Sequence, residues 1–227
     1  MSESTTGHPT FGVRDQRTVH ALVRDHCVAH ELRFDSCLDI GCGRTRLDKW
    51  VGKSELFDAP RRYVGLELDD AIRSALIAED VDVRHPFSPE GKSAEGDIGV
   101  ALEIVEHLEA ADTIPFLSEY LRRTHKLFVL STPNCEYWTG RRAAVGYEHL
   151  RFLPDHYPDQ LASRSSPHSH KQAFTPETLA DAIASSLPGS HWRYRVYRAW
   201  PWTITDMTRP VTYPLYFKLF ALVWPQV

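Results

Sequence analysis

CLDIGCG, residues 37–43, is an apolar run that ends in two glycines around a cysteine. Cys37, Leu38 and Ile40 make a short buried strand, and Asp39 stands at its carboxyl end. Gly41 and Gly43 let the backbone turn tightly and let a ligand touch main-chain atoms. A helix starting just beyond would offer free N–H groups to the same turn. About twenty residues on, RYVGLEL (62–68) is a second strand that carries Glu67 at its end. A carboxylate there can accept hydrogen bonds from both ribose hydroxyls of a nucleoside, as in dinucleotide-binding sheets.

Outward from this pair, strands and helices alternate. Residues 11–32 are helical, with Val19, Leu22 and Val23 on one stripe. Asp69 or Asp70 can cap a helix striped by Ile72, Ala75 and Leu76. VDV (81–83), DIGVALE (97–103) and KLFVLSTPN (126–134) are further strands, and TIPFLSEYLRR (113–123) is a helix. In FTPETLADAIASSL (174–187), Thr175 suits the N-cap and Pro176 the first helical position. HWRYRVYRAW (191–200) alternates roughly as a strand. Strands that are apolar throughout and separated by helices predict an α/β chain, with a parallel sheet covered on both faces. Such sheets bind ligands beyond the carboxyl ends of their strands, where these motifs fall.

The 227 residues suit one domain, and 42% apolar with 25% charged residues is the balance of a soluble globular protein. A net charge of −4 supplies no global field to draw the chain toward nucleic acid. Cys27, Cys37, Cys42 and Cys135 form no CxxC pair, so reduced thiols in the cytoplasm are expected rather than disulfides or a zinc site. Residues 1–10 lack the basic and apolar regions of a signal peptide and read as a flexible tail. Residues 11–205 make the domain, and 206–227 an apolar C-terminal tail. Within that tail VTYPLYFKLFALVW (211–224) is expected to dock as a helix, the alternative being a peripheral membrane or partner contact. Residues 136–174 are a long insertion rich in histidine, proline, serine and aromatics, which suits a lid or binding segment. Tyr137, Trp138, Tyr147, His149, His156 and Tyr157 could wall a pocket there, and Arg141 and Arg142 could meet an anionic group.

LDIGCG, YVGLEL, DIGVALEIVEHLE, LFVLSTPN and FTPETL, in that order across residues 37–187, resemble the class I S-adenosylmethionine-dependent methyltransferases. The resemblance implies a Rossmann-like, doubly wound, mostly parallel sheet with helices on both faces and an antiparallel final strand. It also implies S-adenosyl-L-methionine as cofactor. Asp39, Gly41 and Gly43 would face its methionine portion, Glu67 the ribose, and Asp82 with Val83 the adenine, while Glu103 would join the cofactor side. The chain departs from the pattern with Thr45 in place of a third glycine, and with THK (124–126) where a glycine pair often precedes the fifth strand. A dinucleotide dehydrogenase competes on the glycine turn alone; EIVEHLE and STPN argue against it.

ALEIVEHLE (101–109) begins as a buried strand and then fills with acid. If a helix starts after Glu103, then Glu103, Glu106 and His107 stand at i, i+3 and i+4 and share a face. Two carboxylates and an imidazole make either a metal site, suited to Mg²⁺ or Mn²⁺, or an acid–base site. A fourth ligand could come from His168 or His170 in SPHSHKQAFTPETL (166–179). The spacing resembles that of small-RNA 3′-terminal 2′-O-methyltransferases, which implies metal ligands at Glu103, Glu106, His107 and His170. It equally resembles ubiquinone-pathway O-methyltransferases and bacterial enzymes acting on glycans or small metabolites. The plainer alternative makes Glu106 and Glu109 solvated first-turn acids and His107 a helix residue bonded to a carbonyl. As an acid–base site, His107 or His170, with Glu106, would take the proton of a hydroxyl acceptor. Asn134 could position substrate or simply form the turn. The expected function is O-methylation of a small metabolite, sugar or glycan intermediate. The alternatives are a metal-dependent RNA 3′-terminal 2′-O-methyltransferase, disfavoured by charge, and a non-catalytic cofactor-binding or partner subunit.

Overall fold

A strand that is apolar at every position needs cover on both faces, and the chain supplies it with helices between strands. The computed structural model describes residues 13–44, 47–134, 171–200, 203–206 and 218–226. Their elements run α1 (Val13–His30), β1 (Phe34–Ile40), α2 (Leu47–Lys53), β2 (Phe57–Leu66), α3 (Asp70–Ile77), β3 (Val83–Arg84) and α4 (Pro89–Lys92). They continue with β4 (Gly96–Leu102), α5 (Ala110–Arg122), β5 (Thr124–Pro133), α6 (Pro176–Ser186), β6 (Trp192–Trp200), β7 (Thr203–Asp206) and β8 (Lys218–Pro225). Asp69 caps α3 by accepting from the amides of Ala71 and Ile72, and Thr175 caps α6 in a reciprocal capping box with Thr178.

The strands form one sheet in the order β3-β2-β1-β4-β5-β8-β6-β7. The first five are parallel, while β8 runs antiparallel to both β5 and β6, and β7 antiparallel to β6. This is the expected Rossmann-like, doubly wound α/β sheet. The strand order reverses between β1 and β4, so a crevice opens there beyond their carboxyl ends. On one face, Leu38, Phe128 and Leu130 pack with Leu117 of α5 and with Leu179 and Ile183 of α6. On the other, Leu127, Val129 and Phe220 pack with Val19 and Val23 of α1 and with Val51 of α2. Cys27, Cys37 and Cys42 are buried.

The C-terminal segment corrects the expectation of a docked helix or tail. From Lys218 it is a strand inserted between β5 and β6 in the body of the sheet. A short continuous apolar run fits a buried helix and a strand buried on both faces equally well, and sheet pairing settles it here. Leu219 to Val223 are buried, so they present no apolar face to a membrane or partner. Residues 211–217 lie outside the described residues. No helix among the described residues is long and apolar enough to cross a membrane.

A central strand cannot be removed as a tail can. Truncation before Lys218 would leave β5 and β6 with unpaired edges and expose both faces of the core. The truncated chain is expected to lose its cooperative thermal transition, read by circular dichroism. A truncated chain melting within a few degrees of the full chain would contradict β8's place in the sheet.

Candidate functional site

The glycine turn and Glu67 are joined directly. Gly41 and Gly43 both adopt left-handed backbone, with φ of 62° and 50°. At Gly41 a Cβ would drive into the Ile104 side chain, so the turn lies against the end of β4. The Gly43 N–H donates to Glu67 Oε2 at 2.8 Å, and the Asp69 N–H donates to Oε1 at 2.8 Å. The buried Glu67 carboxylate therefore ties the turn after β1 to the cap of α3. Two of its roughly four acceptor positions are used, which leaves one on each oxygen.

Asp39, near the end of β1, is buried and accepts from the Tyr63 hydroxyl at 2.8 Å. Burial pushes its pKa up to about 7 against the pull of the Tyr63 bond, with Asp48 and Glu67 raising it further. Asp82 and Val83 are placed less favourably for an adenine. Asp82 is gripped by the Arg84 fork at 3.0 and 2.8 Å, and Val83 is buried against Cys42 and Leu76. Large exposed apolar side chains stand just beyond these strands instead: Leu68 after β2 and Phe87 after β3.

The acidic stretch after β4 is not the expected helix. Glu103 takes a left-handed φ of 59°, and Val105–His107 form a single 3₁₀ turn before α5 begins. The shared helical face of Glu103, Glu106 and His107 is therefore not formed. Ser131 Oγ donates to Glu103 Oε1 at 2.8 Å, and Lys218 Nζ lies 3.2 Å from Oε2. Thr132 Oγ1 donates to Glu106 Oε2 at 3.1 Å. Ser131 and Thr132 are successive residues of β5, so their side chains point to opposite faces of the sheet. Glu103 is thus anchored by a hydroxyl of the α1 face and Glu106 by one of the α5–α6 face.

Glu106 is 1% exposed, its Oε1 has no hydrogen-bond partner, and His107 Nε2 lies 4.0 Å from that oxygen. Burial, and then the Glu103 charge, pushes the Glu106 carboxyl well above its ordinary range and favours the protonated form. The Glu106 carbonyl accepts from the amides of Lys171 and Gln172 at 2.6 and 3.1 Å. The Gln172 amide group also reaches the Leu108 carbonyl and Thr113 Oγ1, each at 2.7 Å, and so clamps the turn. Asn134 is buried and bridges Phe174, which suits a role in shaping the turn.

Sequence reasoning missed Ser131, Thr132, Gln172 and Lys218. The first two were visible as polar residues in an apolar strand, and Lys218 as the one charge in the C-terminal run.

These positions do not fit the Mg²⁺ or Mn²⁺ centre expected on Glu103, Glu106, His107 and His170. Glu103 is already paired with an ammonium, and Glu106 is anchored separately by Thr132. Among the described residues no group of three or more His, Cys, Asp or Glu could hold a metal ion. His168 and His170 lie outside the described residues, as do Thr45, Cys135 and the insertion residues 136–170.

The Asp39 carboxyl gives a signed pH dependence. The folded state keeps its proton up to about pH 7, whereas the unfolded chain releases it near the ordinary 3.8. Its burial therefore costs nothing below the lower value and its full amount above the upper. Asp39→Asn removes the titration and keeps an acceptor for Tyr63. Relative to wild type, the variant should gain stability between pH 4 and 7, by up to about 4 kcal/mol, and level off above. Urea unfolding at a series of pH values reads this, and a pH-independent difference would contradict it.

No protein-family model matches the sequence, and no curated protein matches it. Solved structures do. The methyltransferase domain of bacterial CtHen1-C is 13% identical with a TM-score of 0.62, over 94% of this chain and 98% of that one. Plantazolicin methyltransferase BamL, in complex with a desmethylplantazolicin analogue and S-adenosylhomocysteine, is 10% identical with a TM-score of 0.62, over 94% and 88%. Small RNA methyltransferase HEN1 is 18% identical with a TM-score of 0.61, over 100% of this chain and 27% of that one. A S-adenosylmethionine-dependent methyltransferase from Archaeoglobus fulgidus is 15% identical with a TM-score of 0.54, over 95% of each chain. This chain has the fold of the S-adenosylmethionine-dependent methyltransferases.

Proposed function

We propose that the chain is a S-adenosylmethionine-dependent methyltransferase acting on an oxygen of a small metabolite, sugar or glycan intermediate. The observation that carries the reading is the Glu67 bridge to Gly43, which builds a ribose-sized acceptor beside a glycine turn at the sheet's switch point. The residues present suit the cofactor. The left-handed glycines admit a ligand against main chain, Glu67 keeps an acceptor position on each oxygen, and Leu68 and Phe87 offer apolar cover for a base. The Glu67 carboxylate places an acidic group beside the glycine turn.

The cofactor, when bound, supplies a methyl already activated by a sulfonium, so the protein's part is mainly to position the acceptor in line. An oxygen acceptor must also lose a proton. His107, part-exposed on the turn beyond β4, is the group we assign to take it. Glu106, buried and favouring its protonated form, orients that turn rather than acting as a base.

An RNA acceptor is the second reading, favoured by the likeness to a protein described as a small RNA methyltransferase. Two features weigh against it: the net charge of −4, and a Glu103 carboxylate already paired with Lys218.

Calorimetry with S-adenosylmethionine should show one binding site, weakened at least about tenfold in Glu67→Ala because Gly43 and Asp69 lose their acceptor. No heat at high cofactor concentration would leave the non-catalytic partner reading. With labelled cofactor, methyl should pass to hydroxyl-bearing small molecules or glycans; label appearing instead at the 3′ end of an oligonucleotide would establish the RNA reading.

A further inference from the structure

A buried ammonium is the least expected charge in a place where a divalent cation was anticipated. Lys218 opens β8 opposite Pro133, and strand alternation puts its side chain on the same face as Ser131. It is 7% exposed, a degree of burial that lysine adopts almost only when paired. Its partner is Glu103 Oε2 at 3.2 Å, while Ser131 Oγ holds Glu103 Oε1 at 2.8 Å. Both oxygens of Glu103 are engaged, and its charge is balanced by a cation that belongs to the chain. A divalent ion on Glu103 would face the ammonium across a few ångströms of largely dehydrated protein, where like charges repel much more strongly than in water. Glu106, which would have to share that ion, already accepts from Thr132 on its Oε2.

We propose that Lys218 is the resident cation of this site. It is a positioning residue that fixes the Glu103 carboxylate beyond β4 and takes the place of a divalent ion, so the chain's methyl transfer needs no metal. The catalytic consequence rests on the methyltransferase reading; the hold of Lys218 on Glu103 does not. Lys218 lies more than a hundred residues from Glu103 in the chain and reaches it only because β8 is inserted beside β5. The same insertion that completes the sheet therefore delivers the charge.

The test titrates the full chain with manganese chloride, with and without S-adenosylhomocysteine. Paramagnetic resonance follows free Mn²⁺, and thermal unfolding follows the protein. Wild type should leave the free Mn²⁺ signal undiminished at equimolar concentration and keep its melting temperature. Lys218→Asp sets a second carboxylate toward Glu103 and Ser131, so it should bind Mn²⁺ and melt several degrees higher with the ion than without. A wild type that takes up one Mn²⁺, or a folded Lys218→Asp indifferent to Mn²⁺, overturns the proposal. Should Lys218→Asp not fold at any Mn²⁺ concentration, the wild-type titration decides alone. A failure of cofactor binding by calorimetry would remove the methyltransferase reading and leave the Mn²⁺ result standing. A wild-type Mn²⁺ site would remove the role of Lys218 and leave cofactor binding standing.

Discussion

The carboxylate of Glu67 holds the crevice together. Its two oxygens take the amides of Gly43 and Asp69, so the turn after β1 and the cap of α3 hang from one side chain at the end of β2. Hydrogen bonds to a charged group are worth about 1.5–3 kcal/mol each, enough to hold a left-handed turn that would otherwise be free to move. Gly41 completes the frame by lying flush against Ile104, which brings in the end of β4. Three strand ends are thereby locked around the switch point. A nucleoside bound there would meet an acceptor already in place, and little conformational freedom would be lost on binding.

The sheet imposes a second constraint, through alternation. Ser131 and Thr132 are neighbours in β5, and each claims one glutamate from the turn beyond β4. The pleat sends Ser131 and Thr132 to opposite faces, so the two acids are anchored separately, although the Glu103 charge still raises the Glu106 pKa. One is paired with Lys218, while the other is buried with its Oε1 lacking a hydrogen-bond partner. Gln172 braces the turn from the segment before α6, which couples the two halves of the chain at this point. That geometry favours orientation of His107 and disfavours a shared ion.

Legibility in the sequence followed the range of the interactions. Gly41, Gly43 and Glu67 could be read because a strand, a turn and a strand end recur at a fixed local spacing, and the Thr175 cap because capping is decided within four residues. The face shared by Glu103, Glu106 and His107 was misread because it presumed a helix, whereas Glu103 takes a left-handed backbone that spacing does not reveal. The C-terminal run was misread because β8 is buried on both faces and carries no period-two pattern. Lys218 was invisible as a site residue for the same reason: its partner is chosen by strand order, which a continuous apolar run leaves open. Gln172 stood in a motif noticed for its histidines, and only the folded turn shows which carbonyls need a donor.

A crystal structure with S-adenosylhomocysteine tests the central claim most directly. The account predicts both ribose hydroxyls within hydrogen-bond distance of Glu67, with the Gly43 and Asp69 amides still on the same carboxylate. A nucleoside bound elsewhere, or a ribose turned away from Glu67, would contradict it.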